Sequence, residues 1–390
     1  MSTFRSGRAA RVGAALALST AVALAMSACS SSGAKPSSTS SASTGSQTAK
    51  TDPGVQAATA YLANHTNNPT SIGALTPLSA KPAAGKSIIY LAPPIPTSAR
   101  LSQALGAAST ALGWNYSQIG VGATPATAAS GFDAAIARKP HAIVFAGLPA
   151  AVFTTQIAEA KAAGIAVISA ATGDGPVDGV LADLGGTSLS AIYGKLVAAY
   201  FVEKSDGKGK ALLVTISAYP ILTAFVDSFQ SAVKEWCSAC SVNVLQQQVT
   251  DVGTRTPTNV VGNLQRDRST KWVVISNGDL TQGLSPALKQ AGLSGVQIVG
   301  EVPEPANLAN IKAGTELAWA GYPIDILGWR IVDTIARHFG GADVAAAEAV
   351  QTPVQMITPD NVNSVVLGTQ GFYVGVNGYQ QQFDKLWNVG

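Results

Sequence analysis

The side chains able to do covalent or metal chemistry are few in this sequence and far apart along it. Histidine occurs at His65, His141 and His338, and the chain holds neither a GxSxG nucleophile motif nor an HExxH zinc motif. Catalysis needs a nucleophile or metal, a base and a stabilising group brought to one place. The sequence therefore predicts that the protein is not an enzyme.

Cys237 and Cys240 have the CxxC spacing shared by zinc sites, redox motifs and short disulfides. A zinc site needs four ligands, and no histidine or further cysteine lies near the pair in the sequence. A thioredoxin-like motif opens a helix, whereas this pair follows a predicted helix at 221–236. We therefore predict a disulfide that closes the helix end in an oxidising compartment, and no metal or cofactor.

Two glycine motifs resemble nucleotide-binding sequences but have the wrong context. The run at 85–87 has the end of a P-loop, yet Ala80 stands where the first glycine belongs, and the lysine precedes a predicted strand. The glycines at 120–122 form a lone GxG, with Pro125 in place of the third glycine. Neither motif predicts a bound nucleotide.

The first 28 residues have the pattern of a secretory signal. Three arginines and no acid occupy the first 11 residues, an Ala/Leu/Val-rich run follows at 12–25, and small residues at 27–28 precede Cys29. The alternative is a transmembrane anchor, but the run is shorter than the about 20 residues that a bilayer requires. The end of the segment resembles the lipobox of bacterial lipoproteins, which implies that Cys29 carries the lipid and begins the mature chain.

The next segment is polar and low in complexity. Thirteen of the 22 residues from 30 to 51 are Ser or Thr, so we expect a disordered tether with a root-mean-square reach of roughly 25 Å. Beyond the signal, 22 basic residues balance 22 acidic ones. A net charge near zero, with no basic cluster, argues against nucleic acid as a partner.

The remaining chain is apolar enough to fold, with 47% hydrophobic and 12% charged residues overall. Helix-period segments separate short, continuously apolar runs, a pattern that predicts parallel sheets covered on both faces. The predicted strands are 87–92, 116–121, 141–146, 165–169, 210–216, 241–247, 271–276, 296–300 and 317–321. The predicted helices are 52–65, 98–112, 126–138, 150–163, 187–204, 221–236, 256–267, 285–291, 305–313 and 324–339.

Nine strands are too many for one compact doubly wound sheet, so we predict an α/β fold of two doubly wound parallel-sheet lobes. The predicted segments are a signal peptide at 1–28, a tether at 29–52, an N-terminal helix with a Pro-containing extension at 53–85, lobe 1 at 86–183 plus 322–350, and lobe 2 at 184–321 plus 351–390.

This order resembles the type I periplasmic binding proteins, the ribose/galactose-type solute receptors of ABC transporters. The runs that carry the resemblance are 160–168, 287–292 followed by 296–300, and 311–314 followed by Tyr322-Pro323 and Gly328. The resemblance implies a three-segment hinge, which we place near 182–186, 320–324 and 350–354. Cytoplasmic relatives are repressors with a helix-turn-helix ahead of this fold, and here a lipobox and tether occupy that place.

Sugar-binding relatives hold hydroxyls with an Asp-Arg pair after the fourth strand, an Arg early in lobe 2 and an Asp in an Asn-Asp motif. The matching positions here are 171–172, Phe225 and 277–278, and the only acid is one place later, at Asp279. Loss of these charges argues against a hexose, an organic acid or a phosphate. A neutral, partly apolar molecule fits better, or a cation if an acid points inward.

Ligands of open parallel sheets lie outside the carboxyl ends of the strands, and two facing lobes bring both sets of ends to one cleft. The predicted ligand contacts are Ser98, Thr172, Ser217, Tyr219, Phe225, Asn277, Asp279, Glu301 and Tyr322. Tyr219 and Asn277 are the strongest individual candidates.

Together these features predict a lipid-anchored solute-binding protein of an ABC importer, a monomer on the outer face of a bacterial cell membrane. Its expected partners are a small-molecule ligand, the ABC permease and the membrane that holds the anchor. Two alternatives remain open. One is a ligand-sensing receptor with the same fold that signals to a membrane partner, and the other is an enzyme on this scaffold.

Overall fold

The computed structural model describes residues 52–122 and 124–389. The predicted signal peptide, the lipidated Cys29 and all but the last residue of the predicted tether lie outside these residues. Within them, no helix combines the length and the apolar character needed to cross a bilayer.

The first sheet holds five parallel strands in the order β2-β1-β3-β4-β5. Its strands are β1 (Ser87–Ala92), β2 (Asn115–Gly120), β3 (Ala142–Ala146), β4 (Ala166–Ala170) and β5 (Asp183–Leu184). The central strands β1, β3 and β4 are apolar at successive positions and buried there, because helices cover both faces of the sheet.

The second sheet holds six strands in the order β11-β10-β9-β8-β6-β7. Its strands are β6 (Lys210–Thr215), β7 (Ser241–Gln246), β8 (Trp272–Ile275), β9 (Gln297–Glu301), β10 (Ala318–Gly321) and β11 (Gln355–Ile357). All neighbours are parallel except β10 and β11, which pair antiparallel at one edge.

Helices separate the strands, and most begin with a proline or a polar cap. They are α1 (Pro53–Ala63), α2 (Pro96–Ala111), α3 (Pro125–Ala137), α4 (Thr154–Ala162), α5 (Thr187–Lys204), α6 (Pro220–Trp236), α7 (Thr256–Arg266), α8 (Leu284–Gln290), α9 (Pro305–Lys312), α10 (Ile324–Phe339), α11 (Val344–Ala349) and α12 (Tyr379–Leu386). Asp52 caps α1 by accepting a hydrogen bond from the Gly54 N–H at 2.7 Å. Gly113, Gly164, Gly292 and Gly314 follow helices with positive φ, which stops each helix.

The structure confirms the nine predicted strands and the ten predicted helices, with shifts of one or two residues at most ends. The exception is the helix predicted at 150–163, which begins with a separate 3-10 turn at Ala150–Phe153 before α4. Four short elements were not predicted: β5, β11, α11 and α12. They are two to eight residues long, too short for a periodic pattern to stand out.

The predicted fold class, two parallel-sheet α/β lobes, is confirmed. The chain leaves the first sheet after β5 for α5, which packs on α6, β9 and β10. It returns between β10 and α10, which packs on α2 and β4. It passes to the second sheet again between α11 and β11. We call the first sheet with its helices the first lobe and the second sheet with its helices the second lobe.

The two ends of the described chain pack beside these lobes. Helix α1 lies on α5 and α6, and α12 lies on α10. The predicted boundaries assign α12 to lobe 2 and α10 to lobe 1, so the packing of α12 departs from them. The Trp387 indole of this end donates to Asp333 of α10 at 2.8 Å and stacks on Trp329. We propose the predicted boundaries with this one change, which places α12 in the first lobe.

The segment between α1 and β1 is hydrogen-bonded to both lobes. The carbonyl of His65 accepts from the backbone N–H of Met356 in β11. Further along, the carbonyls of Ile72 and Thr76 accept from the guanidinium groups of Arg330 and Arg337 in α10. We call residues 64–83 the strap.

Cys237 and Cys240 form a disulfide directly after α6. The bond lies at the far end of this helix from the carboxyl edge of the second sheet, since α6 begins at Pro220, just after β6. The disulfide therefore fixes a helix end and has no place in the cleft.

Candidate functional site

A cavity lies where the carboxyl ends of the two sheets face each other. Its volume is about 100 Å³. The lining residues lie near the carboxyl ends of strands β1 and β3, in the loops after β1, β3, β4, β6, β7 and β8, or in the first turns of α2, α6 and α10. They are Tyr90, Pro93, Ile95, Thr97, Ser98, Leu101, Ala146, Gly147, Ala171, Ile216, Tyr219, Ile221, Leu222, Val252, Asn277, Asp279, Leu280 and Ile324.

The first lobe presents mostly hydrocarbon to the cavity. Ile95 and Leu101 flank the start of α2, where Pro96 fixes the helical backbone of the first turn. Ser98 is buried on this turn, and its hydroxyl lies 3.1 Å from the Tyr90 hydroxyl of β1. The hydroxyl that the sequence offered as a ligand contact is therefore already engaged within the wall.

The second lobe presents the polar groups. Asn277 follows β8 and caps a 3-10 turn at Gly278–Thr281, since its Oδ1 accepts from the Asp279 N–H at 2.8 Å. Tyr219 precedes α6 and is 8% exposed, while Asp279 is 3% exposed. Burial, with Asp279 as a second cause, raises the pKa of Tyr219 to about 12, so its phenol keeps its proton at neutral pH.

Two contacts join the lobes directly across the cleft. Thr97 of the first lobe donates twice to Asp279 Oδ2 of the second, from its backbone N–H at 3.2 Å and its hydroxyl at 2.9 Å. Gly147, with φ of 81°, lies so close to Tyr219 that a Cβ there would be 3.1 Å from two ring carbons. The structure is thus that of a closed cleft.

A second acid stands beside Asp279. Burial raises the pKa of Glu304 to about 7, with the neighbouring Asp279 charge as the next cause and Arg100 as an opposing one. Burial also raises the pKa of Asp279, against the two hydrogen bonds from Thr97. Two acids with raised pKa at a lobe contact hold protons more tightly in the closed cleft than in water.

Arg100 of α2 ties the first lobe to the C-terminal segment packed on the second sheet. It forms an ion pair with Asp325 at 2.6 Å, donates to the carbonyl of Tyr373, and lies over the Phe372 ring at 4.5 Å. The guanidinium is buried and does not line the cavity; its Nη1 has no hydrogen-bond partner among the described residues.

The structure brings four of the nine predicted contacts to the cavity wall: Ser98, Tyr219, Asn277 and Asp279. Thr172 does not line it. Its hydroxyl donates to Asp183 at 2.9 Å, and Ser169 and the Gly173 N–H bind the same carboxylate. Thr172 therefore holds the end of β4 beside β5.

Ser217 and Phe225 also lie away from the cavity wall, for opposite reasons. Ser217 is exposed on the turn between β6 and α6. Phe225 is fully buried and stacks with Phe229 in the core of the second lobe, with ring centroids 6.3 Å apart. We withdraw both residues from the candidate site.

Glu301 and Tyr322 belong to a different, fully buried polar group with Tyr193 and Tyr373. No side-chain oxygen of these four residues has a hydrogen-bond partner among residues 52–122 and 124–389. Burial raises the pKa of Glu301 well above its usual value and also raises the pKa of Tyr322. Burial thus disfavours the charged form of both groups, and neither side chain lines the cleft, which corrects the prediction for Glu301 and Tyr322.

Sequence reasoning missed the hydrocarbon part of the site. Leu101 and Leu222 lie one helical turn beyond positions that the strand-end rule selects, and Ile324 begins α10 at a lobe crossing. Extending the search by one helical turn beyond each strand end would have found Leu101 and Leu222. Glu304 was missed because it caps α9 three residues after its strand.

The arrangement is that of a binding site. Within the described part of the chain, no three His, Cys, Asp or Glu side chains cluster in a way that could hold a metal ion. Asp279 is the only carboxylate among the lining residues, and no basic side chain lines the cavity. The wall can enclose a small molecule and offer it a few hydrogen bonds.

Comparisons with known proteins agree with this geometry. A family model described as a periplasmic binding protein domain matches residues 93–343. A search of curated proteins finds no match. Among solved structures, the myo-inositol binding protein of Caulobacter, bound to myo-inositol, has a TM-score of 0.64 at 17% identity, covering 74% of this chain and 97% of its own.

Two further structures share the fold. A glucose-galactose binding protein from Geobacillus stearothermophilus has a TM-score of 0.63 at 19% identity, covering 72% of this chain and 99% of its own. A periplasmic ribose ABC transporter protein from Conexibacter woesei has a TM-score of 0.59 at 19% identity, covering 73% and 95%. At these identities the likeness extends to the architecture alone.

Proposed function

Because this chain belongs to the periplasmic binding protein family, we propose that it is a solute receptor that captures a small neutral molecule between its lobes. The observation that carries the proposal is the direct contact of Thr97 with Asp279 across a cavity at the carboxyl edges of both sheets. Ser98, Tyr219, Asn277 and Asp279 are the proposed ligand contacts.

The mechanism is closure about the crossing segments. A hinge motion of this kind brings two lobes together around a ligand, a motion that periplasmic binding proteins in general perform. A ligand stabilises the closed state only by the contacts that it makes there and not in the open state. Residues from both walls must therefore touch it, and Tyr219 and Ile95 lie on opposite sides of the cavity.

We propose that the receptor delivers its ligand to an ABC permease in the membrane that holds its anchor. Solved structures of this fold include a ribose ABC transporter protein and a glucose-galactose binding protein, which supports a role in uptake. The proposed anchor is a lipid on Cys29, placed by the signal-like residues before it and followed by the Ser/Thr-rich tether. The receptor would then act as a monomer outside the cytoplasmic membrane.

The proposal is tested by a thermal-shift screen of the purified chain against sugars, polyols, amines and small aromatics, followed by uptake of the hit in a deletion strain. We expect an intact ligand at one-to-one stoichiometry, a smaller radius of gyration on binding, and loss of uptake on deletion. Consumption of the ligand would indicate an enzyme, and normal uptake with lost signalling would indicate a sensing receptor.

A matched pair of variants locates the site. Asn277→Ala removes an amide from the cavity wall, whereas Asn310→Ala removes one from α9, where it binds Glu316 outside the cavity. Weaker binding in the first variant alone would support the cleft. Equal affinities in both variants would show that the ligand binds elsewhere.

A further inference from the structure

The cavity wall is dominated by hydrocarbon. Thirteen of its 18 lining residues are aliphatic, aromatic or proline: Tyr90, Pro93, Ile95, Leu101, Ala146, Ala171, Ile216, Tyr219, Ile221, Leu222, Val252, Leu280 and Ile324. Such a wall stabilises apolar surface on a ligand in proportion to the area that is removed from water. A ligand with a hydrocarbon body therefore gains most from this cleft.

Few polar atoms of the wall are left for a ligand. The hydroxyl of Ser98 is hydrogen-bonded to Tyr90. The backbone N–H and the hydroxyl of Thr97 both donate to Asp279. Among the described residues, the atoms of the wall without a hydrogen-bond partner include the Tyr219 hydroxyl, the Asn277 amide nitrogen and Asp279 Oδ1. All three belong to the second lobe, on residues 219–279. Asp279 Oδ1 is itself buried, and the Asp279 carboxyl lies beside that of Glu304.

The unpaired polar atoms of the wall are too few to bind a polyol. A hexose or an inositol buries five or six hydroxyls, and each one left unpaired lowers the affinity by roughly 5- to 150-fold. Three unused polar atoms on one wall cannot satisfy them, because the facing wall offers Ile95 and Leu101. An anion is disfavoured as well, since the only charged group in the wall is the acid Asp279.

The size of the cavity sets a further limit. Apolar cavities of ~150 Å³ bind guests as large as benzene, and the closed cleft offers about 100 Å³. A ligand that leaves the Thr97 to Asp279 contact in place is thus no larger than about one six-membered ring.

We propose that the ligand is a compact hydrocarbon-bodied molecule with one neutral hydroxyl, held by the polar groups of the second lobe and covered by the apolar wall of the first. This inference rests on the proposed function and names the ligand class of the same cleft. The hydroxyl lies toward Tyr219, Asn277 and Asp279, where it can both donate and accept.

Three ring compounds of matched skeleton test the class: cyclohexanol, myo-inositol and cyclohexylamine. Each is titrated calorimetrically into the full chain, with small-angle scattering on the same samples. We expect cyclohexanol to bind at least tenfold more tightly than the other two. Tyr219→Phe should weaken cyclohexanol binding about two- to tenfold, because one hydrogen bond is lost while the ring stays.

A second pair of variants tests the hydrocarbon wall. Ile95→Asn places an amide in the cavity wall of the first lobe, while Val244→Asn makes the same kind of change at an exposed position of β7. Cyclohexanol binding should fall at least tenfold in the first variant and stay unchanged in the second. Equal binding in both would overturn the assignment to this cleft.

The remaining outcomes separate this inference from the function on which it rests. Tighter binding of myo-inositol, with compaction, would overturn the ligand class and leave the solute receptor standing. Tighter binding of cyclohexylamine would contradict the proposal that the polar group of the ligand is a neutral hydroxyl. It would indicate that Asp279 is the counterion of a cationic ligand. If none of the three binds, the ligand class is wrong, and the uptake assay alone then decides the receptor function.

Discussion

The two walls of the cleft are built by the same rule and differ in chemistry. Both are rich in hydrocarbon, but the wall of the first lobe offers Ile95, Leu101 and a buried Ser98, whereas the wall of the second lobe adds Tyr219 and Asp279. The difference indicates a division of labour in which one lobe orients a ligand and the other covers it. The hydrogen bonds from Thr97 to Asp279 join the covering lobe to the orienting lobe.

The largest expected effect comes from removing the acid at that contact. Asp279→Ala deletes the acceptor of both Thr97 hydrogen bonds and one polar group of the second wall. Bonds to an ionisable group contribute about 1.5–3 kcal/mol, so ligand affinity should fall roughly 10- to 100-fold. Calorimetry measures this, with the exposed Asp227→Ala as control. Equal affinity in both variants would contradict the assigned role of the contact.

A smaller effect is expected from filling the gap between the walls. Gly147→Ala puts a methyl group 3.1 Å from the ring of Tyr219 and strains a backbone with φ of 81°. Gly164→Ala imposes similar strain at φ of 71° with no atom within 4 Å of the new carbon. Both should lose about 1 kcal/mol of unfolding free energy. Only the first should also bind ligand several-fold more weakly, and a shared loss of affinity would refute the contact.

The pair of acids at the lobe contact, Asp279 and Glu304, predicts a pH dependence. The closed cleft raises the pKa of Glu304 to about 7, so closure is most favourable below the ordinary glutamate pKa and loses that contribution as pH rises through about 7. Ligand affinity should be a few-fold lower at pH 8.5 than at pH 5.5. Glu304→Gln should flatten the profile, whereas the exposed Glu159→Gln should not. An unchanged slope in the first variant would rule out Glu304 as the titrating group.

The smallest predicted effect concerns the backbone of the covering wall. Ala171 lines the cavity with φ of 54°, a conformation that glycine adopts at lower cost. Ala171→Gly should raise the unfolding free energy by up to about 1 kcal/mol, while the same change at the helical, exposed Ala309 should lower it by ~0.5–1 kcal/mol. Chemical denaturation compares the two. Destabilisation by both would show that the strain at Ala171 is already relieved.

The sequence was sufficient for the elements whose stability is local. Buried parallel strands are apolar at successive positions, and glycines at helix ends mark the stops, so β1 and α5 were predicted with their observed limits. Elements decided by long-range pairing were not predictable. Strand β11 is three residues long and exists because the returning chain meets β10 antiparallel.

The site was predictable to the extent that strand ends determine it. That rule selected Asn277 and Asp279, which line the cavity, but also Glu301, which turns into the core beside Tyr322. Which way a side chain turns after a strand end depends on the packing of neighbouring elements. The prediction for Phe225 was wrong for the same reason, because its packing on Phe229 places it in the core of the second lobe.

The strap has a practical consequence for where this protein can be cut. The family match begins at residue 93, directly after β1, so a shortened chain would naturally be started just before that strand. That cut would remove α1 and uncover the surfaces of α5 and α6 on which Val55, Ala58 and Leu62 are buried. It would also strip backbone acceptors from two buried arginines of α10, Arg330 and Arg337. Expression trials should therefore begin no later than Asp52, even though the family's shared core starts some forty residues downstream.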